Sequence, residues 1–215
     1  MKICTLCPRM CAVDRKSGER GICGQTTEIK VARAALHFWE EPCISGEMGS
    51  GAVFFSGCAL HCVFCQNENI ANGTAGKVIS TERLGEIFLE LQEKGANNIN
   101  LVTPGQFVPQ IIKAVELARN QNLKIPIVYN TSSYENVDTI RSLEGIVDIY
   151  LPDFKYFDTA LSAKYSHAPD YPAVAKAVIA EMVRQTGAAF FENGEDSLMK
   201  RGTIVRHLIL PGCTK

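Results

Sequence analysis

The sequence predicts an α/β fold built as a partial parallel (β/α) barrel, and three observations lead to this prediction. Short apolar runs alternate with amphipathic segments of helical period from residue 51 onward, which favours a parallel sheet with helical crossovers. Each apolar run leads directly into polar or turn residues, as strands do at the carboxyl end of a parallel barrel. An apolar content of 46% over 215 residues is typical of a globular protein with a real core.

The alternation predicts five parallel strands and four helices. The strands are predicted at residues 52–55, 98–102, 125–129, 147–151 and 203–210, and the helices at 81–94, 108–120, 135–143 and 173–186. The first helix shows the pattern clearly, because Leu84, Ile87, Phe88 and Leu91 recur at i, i+3, i+4 and i+7 behind the capping residue Ser80. A polar connection at 192–202 leads into the last strand.

The first 49 residues are predicted to form a small Cys-rich segment and linker in front of the barrel, which we assign to residues 50–215. Within that segment, residues 27–49, which include a mixed run at 29–39, are interpreted as an extended linker lying on the barrel domain. The chain stops shortly after its last predicted strand, and an uncovered strand would leave backbone groups unpaired. We therefore expect the last strand–helix unit to be missing or supplied by something else.

Charge and composition exclude several classes of function. Lys and Arg number 22 against 23 Asp and Glu, and no basic patch stands out, so nucleic acid is not expected as a partner. No apolar run approaches the ~20 residues of a membrane span, and the first residues lack the apolar core of a secretion signal. We therefore expect a cytoplasmic protein without a membrane partner.

Nine cysteines are many for a chain in a reducing compartment, where clustered thiols more often bind metal than form disulfides. One group comprises Cys4, Cys7, Cys11 and Cys23. Four thiolates so spaced could close a tetrahedral zinc site or a fully ligated iron–sulfur cluster, and thiolate ligands alone do not choose between them. This segment is too short for its own hydrophobic core, so a bound metal would supply its folding energy.

The second group, Cys58, Cys62 and Cys65, follows the first predicted strand directly. Thiolates separated by three and then two residues on such a loop can converge on one face of an iron–sulfur cube, which usually takes four Cys ligands. A set of three suggests that one iron stays open to react, as a catalytic zinc site keeps an open position. The same thiols could instead bind zinc with a fourth ligand from elsewhere, or form a disulfide and a spare thiol.

This motif resembles the radical S-adenosylmethionine (SAM) signature. The resemblance implies a 4Fe-4S cluster held by the three cysteines, with the amino and carboxylate groups of SAM on the fourth iron. It also implies that Phe64, the aromatic residue before the third cysteine, lies against the adenine. The fold implied is a partial barrel of the radical SAM type, whose core has six strand–helix units.

Charged residues after the fourth and fifth strands are predicted to point inward. Asp153 and Lys155 continue the alternating row that begins in the strand at 147–151, and charges so placed need partners. The alternative is an ordinary exposed salt bridge of the loop. Arg206 is predicted to point inward as well, toward a carboxylate.

These strand ends resemble the pyruvate formate-lyase activating enzymes and the less characterised proteins similar to them. The resemblance implies that Asp153 and Thr131, the latter in a polar rim with Asn130, help hold a cation beside the SAM carboxylate, and that Lys155 and Arg206 contact SAM. The usual Gly-Gly-Glu that receives the SAM amino group is replaced here by residues 103–106, Thr-Pro-Gly-Gln. Thr103 or a backbone carbonyl would then substitute. The N-terminal cysteines with the Glu-Glu-Pro-Cys-Ile-Ser-Gly stretch at 40–46 resemble the uncharacterised branch.

The activity implied by this resemblance is that of a radical SAM oxidoreductase. It would cleave SAM reductively to a 5'-deoxyadenosyl radical and activate a partner, a glycyl radical enzyme or another protein substrate. A one-electron donor such as flavodoxin or ferredoxin would reduce the cluster. The alternatives are a radical enzyme acting on a small molecule, or a non-catalytic iron–sulfur or zinc module for electron transfer or structure.

Overall fold

The computed structural model describes residues 3–192 and 197–213, and one mixed sheet organises them. Its strands are β1 (Ile29–His37), β2 (Ser50–Phe55), β3 (Lys77–Ile79), β4 (Ile99–Val102), β5 (Ile127–Thr131), β6 (Ile149–Phe154), β7 (Phe190–Phe191), β8 (Met199–Thr203) and β9 (Arg206–His207). They lie in the order β3-β1-β2-β4-β5-β6-β8-β7, and β9 pairs with β6 beyond the end of β8. The fold is therefore mixed α/β with a largely parallel sheet.

Four of the predicted parallel strands are present as β2, β4, β5 and β6, and β8, which overlaps the fifth prediction only at Thr203, completes the parallel set, each strand pairing with the next. The interpretation of residues 27–49 as an extended linker is wrong, since β1 lies within it and pairs antiparallel with β2 on one side and with β3 on the other. Ile29 and Val31, separated by one polar residue, are both buried against the core. That alternation is typical of a half-buried strand.

The helices are α1 (Pro42–Ser45), α2 (Glu68–Ala71), α3 (Thr81–Glu93), α4 (Val108–Asn120), α5 (Val137–Arg141), α6 (Thr159–Ser166) and α7 (Tyr171–Thr186). All four predicted helices are present, and the Ser80 side chain caps α3 by accepting the N–H of Arg83. Helix α6, which was not predicted, is capped by the carboxylate of Asp158. In the described residues, no helix is long and apolar enough to cross a membrane.

The two faces of the sheet are packed differently. The main core joins one face to the helices through side chains such as Phe55, Phe88, Ile111 and Tyr129, all fully buried. We call the opposite face the inner face. On it, Ile44 of α1 packs against Val128, Ile149, Leu151 and Met199, so the turn before β2 folds under the sheet.

The last predicted strand is wrong in position. A strand was expected at 203–210, but β8 ends at Thr203 and only Arg206–His207 continues the pairing with β6. Strand β8 was missed because its residues, 199–203, are mostly polar. All but the last of them lie in the connection predicted at 192–202. Residues 193–196 of that connection fall outside the described part. The apolar residues 208–210 do not pair with a neighbouring strand, and they line a surface groove instead.

Candidate active site

The loop after β2, residues 56–67, carries the three central cysteines and is called the cluster loop here. Its conformation is set locally: Gly57 and His61 adopt positive φ, and the Cys65 N–H donates to the Cys62 carbonyl oxygen at 3.0 Å. A positive φ is uncommon for a residue other than glycine, so the turn at His61 is specified by its surroundings. The three thiols of this loop are all unpaired.

The environment of these thiols links them electrostatically. Burial raises the pKa of Cys58, the N–H groups of His61 and Leu60 oppose that rise, and the neighbouring Cys62 and Cys65 add to it. The hydroxyl of Ser166, at the end of α6, donates to the Cys62 sulfur at 3.0 Å. Three thiols with such mutual influence can act as one ligand set.

The donor set fits an iron–sulfur cluster in chemistry and placement. Thiolates are the ligands such clusters take, and these three come from one short loop at the carboxyl end of a strand. Among residues 3–192 and 197–213, no three Cys, His, Asp or Glu side chains are already arranged around a single metal position. A cysteine thiol changes position by rotation about one Cα–Cβ bond, so the side-chain rotamers do not decide whether a cluster fits. The fit rests on the closeness of the three cysteines in the loop.

The N-terminal cysteines also lie together, in what we call the cysteine segment, residues 3–26. Burial raises the pKa of Cys7 to about 12, and Cys23 and Cys11 are near enough to add to that rise. Burial likewise raises the pKa of Cys23, with Cys4 and Cys11 among the neighbours that add to it. The four thiols therefore share one neighbourhood, as a metal site requires.

Arg9 attaches the cysteine segment to the cluster loop. Its Nε donates to the Ala59 carbonyl at 2.9 Å, and its terminal nitrogens donate to the Ser166 carbonyl at 2.9 Å and the His167 carbonyl at 2.6 Å. The guanidinium also lies over the Tyr134 ring, 5.1 Å from its centroid. One residue between Cys7 and Cys11 thus bridges the two thiol groups.

Further contacts fix the cysteine segment on the carboxyl-end rim, meaning the loops after β2, β4, β5 and β6. Arg15 is buried and donates to the Gln106 carbonyl at 2.8 Å and to the Gln25 carbonyl at 3.1 Å. The Thr139 hydroxyl donates to the Leu6 carbonyl at 2.8 Å. Although a boundary at residue 50 stays a prediction, the two parts pack closely.

A cavity of about 30 Å³ lies where the cysteine segment meets the rim. Its lining includes Cys4, Cys7 and Cys23 from the segment, and Cys58 and Glu135 from the rim. A space of this size holds roughly one or two waters. Both thiol groups therefore face the same small space.

The charged rim residues meet as the alternation predicts. Asp153 on the inner face accepts from Lys155 Nζ at 2.6 Å and from Arg206 Nε at 2.8 Å. Arg206 also donates to the amide oxygen of Asn130 at 2.7 Å. These groups are partly buried, with the Lys155 and Asp153 side chains 19% and 21% exposed, so the pair is not an ordinary solvated salt bridge.

Thr131 points away from this group. It follows Asn130 on β5 and faces the helices, where its hydroxyl donates to the Glu135 carboxylate at 2.6 Å. Tyr129 donates to the same carboxylate at 3.0 Å, and burial raises the pKa of Glu135. The structure brings Asn130, but not the side chain of Thr131, to Asp153.

Thr103 lies in the loop after β4, in the Thr-Pro-Gly-Gln stretch. Its φ is +55°, an unusual conformation for a β-branched residue, which costs of order 1–3 kcal/mol. The carbonyl of Thr103 accepts from the buried Gln106 amide at 2.9 Å, and the same amide donates to the Ser56 and Gly57 carbonyls. Gln106 thus ties this loop to the cluster loop. Phe64, 39% exposed, lies edge-on to Tyr156 and Tyr165 with centroids 6.3 Å away.

Comparison with protein families decides the identity of this arrangement. Residues 52–185, more than half of the chain, match the model of the radical SAM superfamily. The chain belongs to the radical SAM superfamily. Membership implies a 4Fe-4S cluster and SAM as cofactors.

One curated relative of this radical SAM protein is the uncharacterized protein MJ0674 of Methanocaldococcus jannaschii, 27% identical over 217 residues. The alignment covers 98% of this chain and 57% of the relative. The chain therefore spans little more than half the length of the curated relative it matches.

Several residues of the radical SAM site were not predicted from the sequence. Arg9 and Arg15 donate to backbone carbonyls of distant residues, and no local sequence signal points to such partners. Glu135 follows a predicted strand, but only the structure shows its carboxylate buried against Gly105. The roles predicted for the site residues toward the cluster and SAM stay predictions.

Proposed function

We propose that this protein cleaves SAM reductively and uses the resulting radical to activate a partner protein, in the manner of the glycyl radical enzyme activases. The observation that carries the proposal is that the cluster loop and the charged group both lie at the carboxyl ends of strands of one parallel sheet. Cys58, Cys62 and Cys65 come from the loop after β2, while Asp153 and Arg206 lie at the ends of β6 and β9, which pair with each other. A cofactor held by the thiols would face these charges.

A 4Fe-4S cluster held by Cys58, Cys62 and Cys65 would supply the electron for reductive cleavage of SAM, and with it the radical chemistry on the second substrate. The residues of the chain bind and orient. Lys155 would offer a donor to the carboxylate of SAM, and Arg206, whose guanidinium is held by Asp153 and Asn130, would add a positive charge beside it. Asp153, already between two cations, fixes both side chains.

The remaining predicted contacts of SAM extend the proposal. We place the adenine against Phe64, which is half-exposed beside two tyrosines. The SAM amino group is assigned to the loop at Thr103, whose strained backbone is held by Gln106. Thr131 would take part in a cation site only through its backbone carbonyl, because its hydroxyl is bound to Glu135.

We further propose that Cys4, Cys7, Cys11 and Cys23 bind a second iron–sulfur cluster or a zinc ion. The support is that Cys4, Cys7 and Cys23 line one small cavity, with Cys11 near enough to Cys7 and Cys23 to raise their pKa values. Since the segment has little core of its own, a metal would supply part of its folding energy.

A protein partner is supported by a groove beside the rim. The groove has a volume of about 690 Å³ and runs past Lys155, Phe157 and Ile209. Phe157 and Ile209 are 72% and 71% exposed, and exposed apolar side chains at a concave surface are typical of a site for a peptide loop. Flavodoxin or ferredoxin would supply the electron.

The test is production of 5'-deoxyadenosine from SAM by the anaerobically reconstituted protein under reduction. Asp153→Asn and Lys155→Ala should weaken SAM binding about tenfold or more, by loss of a charge-assisted contact. Asp138→Asn is the matched control, because Asp138 is 89% exposed on α5. If no deoxyadenosine forms, the proposal is refuted. If all variants bind SAM equally well, the assignments of Asp153 and Lys155 are refuted.

The partner is tested separately. A glycyl radical enzyme deuterated at its glycine residues should transfer deuterium to deoxyadenosine if a partner glycine is the hydrogen donor. Deuterium appearing only from a small molecule would overturn the activase assignment while leaving SAM cleavage intact.

A further inference from the structure

A chain of two hydroxyl groups ends on the sulfur of Cys62. The Ser166 hydroxyl lies 3.0 Å from the Cys62 sulfur, and the Tyr156 hydroxyl lies 2.6 Å from the Ser166 oxygen. Ser166 is fully buried and Tyr156 is 2% exposed. Burial raises the pKa of Tyr156, Ser166 lowers it, and Cys62 lies close enough to add to the rise. Both hydroxyls are therefore held beside one thiol of the cluster loop, away from bulk water.

The direction of these hydrogen bonds follows from what each group can donate. A thiolate that binds iron has no proton, so the Cys62 sulfur can only accept. A serine hydroxyl has one proton, and Ser166 donates it to that sulfur. The Tyr156 hydroxyl must then be the donor to Ser166. The chain therefore runs from Tyr156 through Ser166 to Cys62, and each bond polarises the next.

The end of helix α6 holds Ser166 in this position. The last carbonyl groups of a helix have no partner within it, and here other elements supply the donors. The N–H of Val63, next to Cys62, donates to the Tyr165 carbonyl at 2.9 Å. Arg9 donates to the Ser166 carbonyl at 2.9 Å. These bonds tie the helix end to the cluster loop, so the hydroxyl stays beside Cys62 whichever rotamer the thiol adopts.

Two cysteines of the cluster loop receive different kinds of donor. Cys58 is approached by backbone N–H groups, that of Leu60 at 3.4 Å and that of His61. Cys62 receives a side-chain hydroxyl and packs against the apolar cluster that contains Tyr171. A hydrogen bond to a charged group is stronger in such surroundings than in water. The donor at Cys62 belongs to a side chain, so one substitution can remove it.

We propose that Ser166 and Tyr156 are positioning residues that raise the reduction potential of the cluster held by the cluster loop. The inference deepens the proposed function and rests on it, since it needs a cluster bound to Cys62. Reduction adds one electron to the cluster, and hydrogen bonds to the ligand sulfurs help to set the potential because they favour the more negative form. The two hydroxyls therefore make the cluster easier for a one-electron donor to reduce.

The test is a redox titration of the anaerobically reconstituted full chain without SAM, followed by electron paramagnetic resonance. The midpoint potential is measured on the part of the signal that Cys62→Ala removes. Ser166→Ala should change the ratio of oxidised to reduced cluster by about three- to tenfold at a given potential, which for one electron lowers the midpoint by about 30–60 mV. Tyr156→Phe should lower the midpoint by less, because Ser166 keeps its own bond to the sulfur.

Each variant has a matched control. Ser162→Ala removes an equally buried hydroxyl of α6 that donates to a carbonyl of its own helix. Tyr150→Phe removes a phenol hydroxyl that bonds Gln185 beside the main core. Both controls should leave the midpoint unchanged, with the iron and sulfide content of the wild type. If Ser166→Ala takes up no cluster, Tyr156→Phe decides the test, because it leaves the serine in place.

The proposal fails on any of three results. An equal midpoint in Ser166→Ala and wild type would mean that the hydroxyl does not act on the ligand. A higher midpoint in this variant would mean that the hydroxyl disfavours reduction. An equal fall in Ser162→Ala would assign the effect to a loosening of α6. Deoxyadenosine production by the wild type tests the proposed function separately. A lower midpoint in Ser166→Ala with no deoxyadenosine from the wild type would sustain this inference and refute SAM cleavage.

Discussion

Arg9→Ala is expected to loosen the attachment of the cysteine segment to the cluster loop. The change removes three hydrogen bonds of 2.6–2.9 Å to the carbonyls of Ala59, Ser166 and His167, and the contact with the Tyr134 ring. At roughly 1 kcal/mol net for each bond in this partly exposed place, the loss is about 3 kcal/mol. Since 1.4 kcal/mol corresponds to a factor of ten, the docking equilibrium should shift by about 10²-fold.

Hydrogen exchange of the reconstituted protein measures this shift directly. Amides of residues 3–24 and of the cluster loop should exchange faster in Arg9→Ala, by up to about 10²-fold if they exchange through undocking. Arg9→Lys should lie between, because lysine keeps the charge but not the fork. Arg20→Ala is the matched control, an exposed arginine in the same segment. If Arg9→Ala and Arg20→Ala exchange alike, the argument that Arg9 couples the two thiol groups is refuted.

Three further predictions concern backbone, pH and metal. Gly57→Ala should abolish cluster binding, since a Cβ there would overlap the Cys23 carbonyl, whereas Gly145→Ala, also at positive φ but in open space, should cost only about 1 kcal/mol in a denaturant titration. Burial raises the pKa of Glu135 in the folded state, so ionisation of this carboxyl destabilises the fold. The destabilisation is absent below the ordinary pKa of 4.5 and grows as the pH rises toward the folded-state pKa. Glu135→Gln should therefore raise the Tm more at pH 8 than at pH 5, and an equal change at both would contradict this. Burial raises the pKa of the Cys7 thiol to about 12, so metal uptake by the cysteine segment should release protons and become tighter from pH 6 to pH 8. A competition with a chelator at the two pH values measures this change in affinity. Cys7→Ser should abolish the metal uptake.

The parallel part of the fold was predictable because its signals are local. Each of the five parallel strands was expected near its observed place except β8, and the cluster loop follows β2 as predicted. Strand β1 was missed because its second half is partly exposed and its sequence there is typical of a linker. Only Ile29 and Val31, which alternate with polar residues, indicate a strand. Helix α6 was missed because its apolar residues do not favour one face, and only the cap at Asp158 signals it.

The site was predictable only where one element determines a side chain's direction. Alternation along β6 placed Asp153 on the inner face, and Arg206 was expected to point toward a carboxylate, as it does. Arg9 contacts a carbonyl 158 residues away, and such a contact depends on how distant elements pack. The same holds for Ser166, which meets Cys62 because the end of α6 packs against the cluster loop.

Electron paramagnetic resonance of the reduced, reconstituted protein before and after SAM addition tests the central claim most directly. The account predicts a 4Fe-4S signal that SAM perturbs, lost in Cys62→Ala and kept in Cys213→Ala, a change at an exposed cysteine outside both groups. The absence of any signal that SAM perturbs, or a SAM-perturbed signal that survives Cys62→Ala, would contradict the claim that the cluster loop holds a reactive, open-iron site.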